Sequence, residues 1–169
     1  YHNKQTFNVK IFKAVIDAGF TCPNKDGSKG IGGCIFCDGG SGYFTNSYLK
    51  SVEEQIKMEL KRIKKKNLNA RAIAYFQANT NTYADVQKLK NIYLPVLSQP
   101  DVAGISIGTR ADCLQPQILD FLEELSHKTY LTVELGMQTI HDNTLKLINR
   151  GYNHNEFLKG FFSLKKRNI

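Results

Sequence analysis

Val102-Ala103-Gly104-Ile105-Ser106-Ile107, then Pro116 with Ile118, Leu119, Leu122 and Leu125, then Tyr130 to Leu135, is the stretch whose order of elements decides the fold. The first run is short, apolar and partly β-branched, which reads as a strand. The apolar residues after Pro116 recur at helical spacing, with proline in the first turn where its missing N–H costs nothing. Tyr130 to Leu135 reads as the next strand. A strand, a helix and a second strand in one sheet imply a crossover and therefore parallel pairing, with the helix covering the sheet.

Working outward, the same unit recurs. Val9-Lys10-Ile11-Phe12-Lys13-Ala14-Val15-Ile16 is a first strand that runs into a polar, Gly-rich loop from Gly19 to Asn46. Ser51 and Glu54 form a capping box, and Val52, Ile56, Leu60 and Ile63 then carry a helix to about Lys66. Ala72-Ile73-Ala74-Tyr75-Phe76 is strand two. After Asp85, the residues Val86, Leu89, Tyr93 and Val96 mark a second helix disturbed by Pro95. Toward the C-terminus a helix is expected over Asn143 to Asn149 behind Asp142 as its cap. Asn153 with Glu156 is an Asn-led capping box ahead of Phe157, Phe161 and Leu164.

Four strand–helix units make the class α/β, a parallel-stranded partial (β/α) barrel. A closed eight-unit barrel takes at least ~200 residues, and the last amphipathic helix stops at Lys165-Lys166-Arg167-Asn168-Ile169 where a further strand is expected. Residues 1–169 are therefore expected to form one domain, truncated at its C-terminus. Hydrophobic residues at 41% and charged residues at 22% exclude a disordered chain, a collagen-like fibre and a coiled coil. No run approaches the ~18 apolar residues of a membrane span, and Tyr1-His2-Asn3-Lys4-Gln5 lacks a signal peptide's apolar segment, so a cytoplasmic protein with no membrane partner is expected. The net charge of +8 favours polyanionic partners.

Cys22, Cys34 and Cys37 follow strand one in the order C-x11-C-x2-C, with Gly27, Gly30, Gly32 and Gly33 among them. In a reducing compartment, thiols gathered by a Gly-rich turn point to a metal or cluster rather than to disulfides. Structural zinc takes four protein ligands, so a zinc site here needs Cys113 or a histidine to complete it. An iron–sulfur cluster normally takes four cysteines, so three leave one iron open to an exchangeable ligand. The ligand deficit favours the cluster. Cys113 is otherwise read as a buried inert thiol, and His127, His141 and His154, near helix ends, as capping or solvent-facing residues.

Strand one followed by C-x11-C-x2-C, with Phe36 just before Cys37, resembles the cluster loop of the radical S-adenosylmethionine (SAM) superfamily. The extended first gap is similar to that of the branch containing the catalytic subunit of Elongator. Gly19 to Gly27, Ser106 to Cys113 and Val133 to Thr139 together resemble a bacterial radical SAM family of the YtqA/YhcC type. The resemblance implies a 4Fe-4S cluster held by Cys22, Cys34 and Cys37, whose open iron chelates the amino and carboxylate groups of S-adenosyl-L-methionine. It also implies an electron donor of flavodoxin or ferredoxin type, and an enzyme that cleaves SAM reductively to a 5′-deoxyadenosyl radical.

In α/β barrels functional groups lie at the C-terminal ends of the strands. Here those ends carry Gln77-Ala78-Asn79-Thr80, Thr109-Arg110-Ala111-Asp112 and Glu134 to Gln138. By resemblance, the backbone of Gln77, Asn79 and Thr80 holds the methionine amino group, although Ala78 and Asn79 replace the usual glycines. Phe36 sets its backbone against the adenine, Glu134 and Gln138 contact ribose or methionine, and Arg110 meets a carboxylate or a substrate phosphate. Glu134 has a plainer reading too, as one partner of an ion pair within the sheet. No catalytic residue is assigned.

Lys57, Lys61, Arg62, Lys64, Lys65 and Lys66 make the first helix strongly basic, by default a solvated outer face. With Lys165, Lys166 and Arg167 they are expected to form a surface for RNA phosphates. Together with the Elongator-like features this implies transfer RNA, modified at the wobble uridine, as substrate and partner. The alternatives are a protein or small-metabolite substrate, and, from a different class, a non-enzymatic zinc-stabilised nucleic-acid-binding module.

Overall fold

A computed structural model describes residues 6–37, 51–77 and 79–169. Four strands, β1 (Ile11–Ile16), β2 (Arg71–Phe76), β3 (Val102–Thr109) and β4 (Tyr130–Leu135), form one sheet in the order β1-β2-β3-β4. Every pairing is parallel, in registers that set Val15 beside Tyr75, Tyr75 beside Ser106 and Gly108 beside Glu134. Sequential order with helical crossovers is the partial-barrel arrangement expected from the sequence. The end of the Gly-rich loop (38–46), His2 and Ala78 lie outside the described residues.

The helices described in full are α1 (Val52–Lys66), α2 (Val86–Tyr93), α3 (Pro116–Lys128), α4 (Asp142–Leu147) and α5 (His154–Lys165), with 3-10 turns at Pro95–Ser98 and Ala111–Cys113. Both capping boxes form, Ser51 with Glu54 and Asn153 with Glu156. Pro95 ends α2 because it lacks the N–H that another helical turn needs, and the chain tightens into the 3-10 turn. At α4 the expectation is corrected. The N-cap is His141 with no side-chain bond, Asp142 is the first helical residue, and its Oδ1 accepts from the His154 amide at 2.8 Å. The carboxylate thus satisfies the exposed N-terminus of α5 rather than of its own helix.

Alternation along the strands sends Ala14, Ile16, Ala74, Phe76, Ile105 and Ile107 to the helix-covered face, where Ala14 joins a small cluster with Ile63 and the others cluster with Ile56, Leu89, Leu122 and Leu125. Tyr93 is fully buried there among Phe20, Phe76 and Phe121. Its hydroxyl donates to the Asn81 carbonyl at 2.6 Å, and Asn81 Nδ2 donates to the Gly108 carbonyl at 2.9 Å. The core thereby fixes the backbone just beyond β2. The opposite face carries polar Lys13, Tyr75, Ser106 and Glu134, which touch one another. Among the described residues, no helix is long and apolar enough to cross a membrane.

α5 packs on the Ala111–Cys113 turn through Gly160, where a Cβ would lie 2.3 Å from the Ala111 carbonyl oxygen. A helical glycine replaced by alanine ordinarily gains about 0.5–1 kcal/mol. Here the added methyl meets backbone, so Gly160→Ala is expected to lose about 1–3 kcal/mol, read from urea unfolding. A stability gain would show that the helix slides freely on the turn.

Candidate functional site

The loop after β1 arrives at the C-terminal edge of the sheet and is folded by its own backbone. The Cys22 carbonyl accepts from the Lys25 and Asp26 amides at 2.8 and 3.1 Å, and the Cys34 carbonyl accepts from the Cys37 amide at 2.9 Å. The connection between α4 and α5 then grips it. The Ile35 amide donates to the Ile148 carbonyl at 3.1 Å, Asn149 Nδ2 to the Gly33 carbonyl at 2.8 Å, and Asn24 Nδ2 to the Asn149 carbonyl at 2.6 Å. Gly151, at φ +76°, is required there, because a Cβ would lie 2.6 Å from Asn24 Oδ1. Cys22 and Cys34 are buried and Cys37 is exposed.

Two buried arginines flank this loop. Arg150 Nη1 donates to Cys34 Sγ at 3.5 Å, and Asn24 Nδ2 reaches the same sulfur at 3.5 Å. Arg150 Nη2 donates to the Gly136 carbonyl at 2.7 Å and to the Tyr152 hydroxyl at 2.9 Å. Arg110 forms a two-point pair with Asp112, Nε to Oδ1 at 2.9 Å and Nη2 to Oδ2 at 3.0 Å, both side chains only 3% exposed. Lys29 from the cysteine loop adds a 2.6 Å bond to Asp112 Oδ2. Burial works against both charges, but the Asp112 carboxylate holds Arg110 above its ordinary pKa. In turn the Arg110 and Lys29 bonds hold Asp112 below the ordinary carboxylate value despite its burial.

At the end of β2, Asn79 takes the left-handed conformation (φ +59°), and its side chain bridges the strand end to the cysteine loop. Nδ2 donates to the Phe20 carbonyl at 2.9 Å, and Oδ1 accepts from Lys25 Nζ at 2.9 Å. The Thr80 amide donates to the Thr21 carbonyl at 3.2 Å. Glu134, on β4, accepts from Tyr75 at 2.7 Å through Oε2, and from Lys13 at 3.1 Å and Ser106 at 3.3 Å through Oε1. The ion-pair reading of Glu134 holds, and the same side chain also faces the cavity. Partial burial, then the bond to Glu134, push the Tyr75 phenol up to about 12. Tyr75→Phe should therefore remove one phenol ionising near 12 from the alkaline absorbance titration; loss of one ionising near the ordinary ~10 would contradict the pairing.

All ten residues singled out from the sequence line one cavity of about 550 Å³: Cys22, Cys34, Cys37, Phe36, Gln77, Asn79, Thr80, Arg110, Glu134 and Gln138. Lys25, Tyr75 and Arg150 line it as well and had not been singled out as site residues. Arg150 sits 116 positions from Cys34 in a polar turn, and no local pattern marks it. Among the described residues, no three His, Cys, Asp or Glu side chains converge as a single-ion site. Thr80 Oγ1, Arg110 Nη1 and Arg150 Nε are buried without a hydrogen-bond partner.

The family profile of the radical SAM superfamily matches residues 22–169, from the first loop cysteine to the last residue. The chain belongs to the radical SAM superfamily. It is 44% identical to Uncharacterized protein YtqA of Bacillus subtilis over 170 positions, covering 100% of this chain and 53% of that protein. It is 40% identical to Protein YhcC of Escherichia coli over 147 positions, covering 86% of this chain and 47% of that one. A protein of Methanocaldococcus jannaschii is 39% identical over 170 positions, 98% of this chain and 51% of its own. The chain spans about half the length of these relatives. Superfamily membership accounts for the position of the cavity, at the C-terminal edge of a parallel sheet where such folds place their chemistry.

Proposed function

We propose that the chain binds a 4Fe-4S cluster through Cys22, Cys34 and Cys37, with S-adenosylmethionine beside it, and acts as an enzyme that cleaves SAM reductively. The observation that carries this reading is that the three thiols share one cavity with the polar strand ends in a chain of this superfamily. When bound, such a cluster supplies one electron, taken from a flavodoxin- or ferredoxin-type donor, to break the sulfonium C–S bond into methionine and a 5′-deoxyadenosyl radical.

The residues present fit the group. Three thiols from one loop are a soft donor set, and a 4Fe-4S cluster takes each thiolate on a separate iron, so convergence on one point is not required. Cys34 already receives two N–H donors, the kind of bond that tunes cluster sulfurs. The rest of the cavity suits a zwitterionic nucleoside. Thr80 Oγ1 is buried and unpartnered, which costs about 1–3 kcal/mol unless a ligand atom meets it. An ionised carboxylate offers about four lone-pair directions, and Glu134 uses three of them, leaving one for a ribose hydroxyl. Gln77, Asn79 and Thr80 contribute main chain toward the methionine amino group, Phe36 toward the adenine, and Gln138 a side chain at the rim. Arg110 is held by Asp112 and has only Nη1 to give to a carboxylate.

Anaerobic reconstitution with iron and sulfide tests the cluster, which should appear as about four irons and four sulfides per chain and be lost in Cys37→Ala. One tightly held, colourless zinc per chain, with no iron uptake, would instead leave a zinc-bound module.

For the substrate we propose transfer RNA, modified at the wobble uridine. Its support is the net charge of +8 and the exposed Lys61, Lys65 and Lys66 on α1, which make no ion pair among the described residues. Lys57, Arg62 and Lys64 are paired with Glu53, Glu59 and Asp101. The Lys64–Asp101 bond puts the basic end of α1 at the edge where β3 begins, opposite the cavity, so an RNA bound there must also reach round to the mouth. Affinity for transfer RNA is expected to fall steeply with salt. A salt-independent affinity, or none, would contradict this substrate.

A further inference from the structure

We infer that Arg150 is the built-in counter-ion of the cluster and raises its reduction potential, an inference that rests on the cluster reading above. Arg150 is 7% exposed and makes no ion pair with a carboxylate among the described residues. Its partners are the Gly136 carbonyl, the Tyr152 hydroxyl and ring (4.7 Å from the guanidinium carbon to the ring centre) and, at 3.5 Å, Cys34 Sγ. Nε has no partner at all. The contrast with Arg110 is direct. That arginine is equally buried but is neutralised by Asp112 in a two-point pair.

A guanidinium cannot shed its charge, and a buried charge without a counter-charge costs several kcal/mol. The group beside it that can become anionic is the Cys34 sulfur, and a cluster on three thiolates carries net negative charge that grows by one on reduction. The cation therefore stabilises the reduced form more than the oxidised one and shifts the potential upward. Donation through Nη1 also fixes the orientation of the Cys34 side chain, and Asn24 supplies a second, neutral donor to the same sulfur. A Cβ at Gly136 would lie 3.2 Å from Nη2, a tight contact that glycine avoids. Arg150 is thus a positioning residue that acts through Cys34.

A structural strut and a counter-ion behave in opposite ways when the cluster is removed. Before iron is added, Arg150→Gln relieves an uncompensated charge while Tyr152 keeps donating to the Gly136 carbonyl at 2.7 Å, so the variant should unfold in urea no earlier than wild type. After anaerobic reconstitution, EPR-monitored redox titration should show about tenfold less reduced cluster at a fixed poise than in wild type, which is about 59 mV for one electron. Arg150→Lys, which keeps the charge, should lie close to wild type, as should Tyr152→Phe, which removes only the hydroxyl partner. The inference is overturned if Arg150→Gln is unfolded without iron, which marks a strut, or if its reconstituted cluster titrates at the wild-type potential. Failure of wild type itself to take up iron and sulfide would overturn the cluster reading and this inference with it. An iron-bearing wild type with an unshifted variant overturns the inference alone.

Discussion

Asp112→Ala is expected to lower the unfolding free energy by about 3–5 kcal/mol, because it leaves the Arg110 guanidinium buried without its carboxylate. The pair is 3% exposed on both sides, with a two-point bond and Lys29 as a third member, so neither water nor a neighbouring carboxylate replaces what is lost. Urea unfolding at pH 7 measures it. Replacing both partners together, Arg110→Met with Asp112→Leu, should recover much of the loss, since apolar groups of similar volume leave no uncompensated charge. The pH dependence has a definite sign. Bonds from Arg110 and Lys29 outweigh burial and hold Asp112 below its unfolded value, so its contribution is full above about 3.9 and fades as pH falls through the lower folded value. The single variant should lack that part of the acid limb. A loss below 1 kcal/mol would show that the pair is open to solvent. Because Lys29 belongs to the cysteine loop, the same variant should also loosen the loop's hold on the sheet.

Cys34→Ala is expected to take iron–sulfur content and SAM cleavage to the background while leaving the fold intact. The separation of the two readouts follows from how the loop is held. Asn149, Asn24, Ile148 and the Cys22 turn fix its backbone through main-chain and amide bonds, none of which involves the Cys34 side chain except the donors aimed at its sulfur. Removing one sulfur from a buried site should cost about 1 kcal/mol, well short of unfolding a domain. Cys113→Ala provides the contrast. Burial first, and then the Asp112 carboxylate, push that thiol up to about 12, and it does not line the cavity that the other three thiols share. Its variant should retain full iron content. Retention of the cluster in Cys34→Ala, or its loss in Cys113→Ala, would reassign the ligand set.

The parts of this structure that were legible in the sequence are those with local causes. β4 was expected at Tyr130 to Leu135 and spans Tyr130–Leu135, because a short apolar segment between a helix end and a polar loop has few alternatives. The capping boxes at Ser51 and Asn153 each need only two residues three apart, and both form. β1 starts two residues later than expected, at Ile11, since Val9 and Lys10 continue its strand-like pattern but precede the first rung with β2. The site residues on strand ends were placed by topology, which brings all parallel C-terminal ends to one edge, together with the resemblance to the superfamily. What remained hidden depends on contacts between distant segments. Asn24 meets Asn149 across 125 positions and Arg150 meets Cys34 across 116. The α4–α5 connection that carries these residues reads locally as an ordinary polar turn. Asp142 was misassigned for the same reason, since its partner amide, His154, belongs to the next helix.

In the proposed function the Cys22, Cys34 and Cys37 loop serves reductive cleavage of S-adenosylmethionine. The most direct measurement is anaerobic incubation of the iron–sulfide-reconstituted protein with SAM and a strong one-electron reductant, followed by quantitation of 5′-deoxyadenosine and methionine. Both products should form in equal amounts with wild type, and neither with Cys34→Ala. Intact SAM in the presence of a fully assembled, reduced cluster would contradict that function.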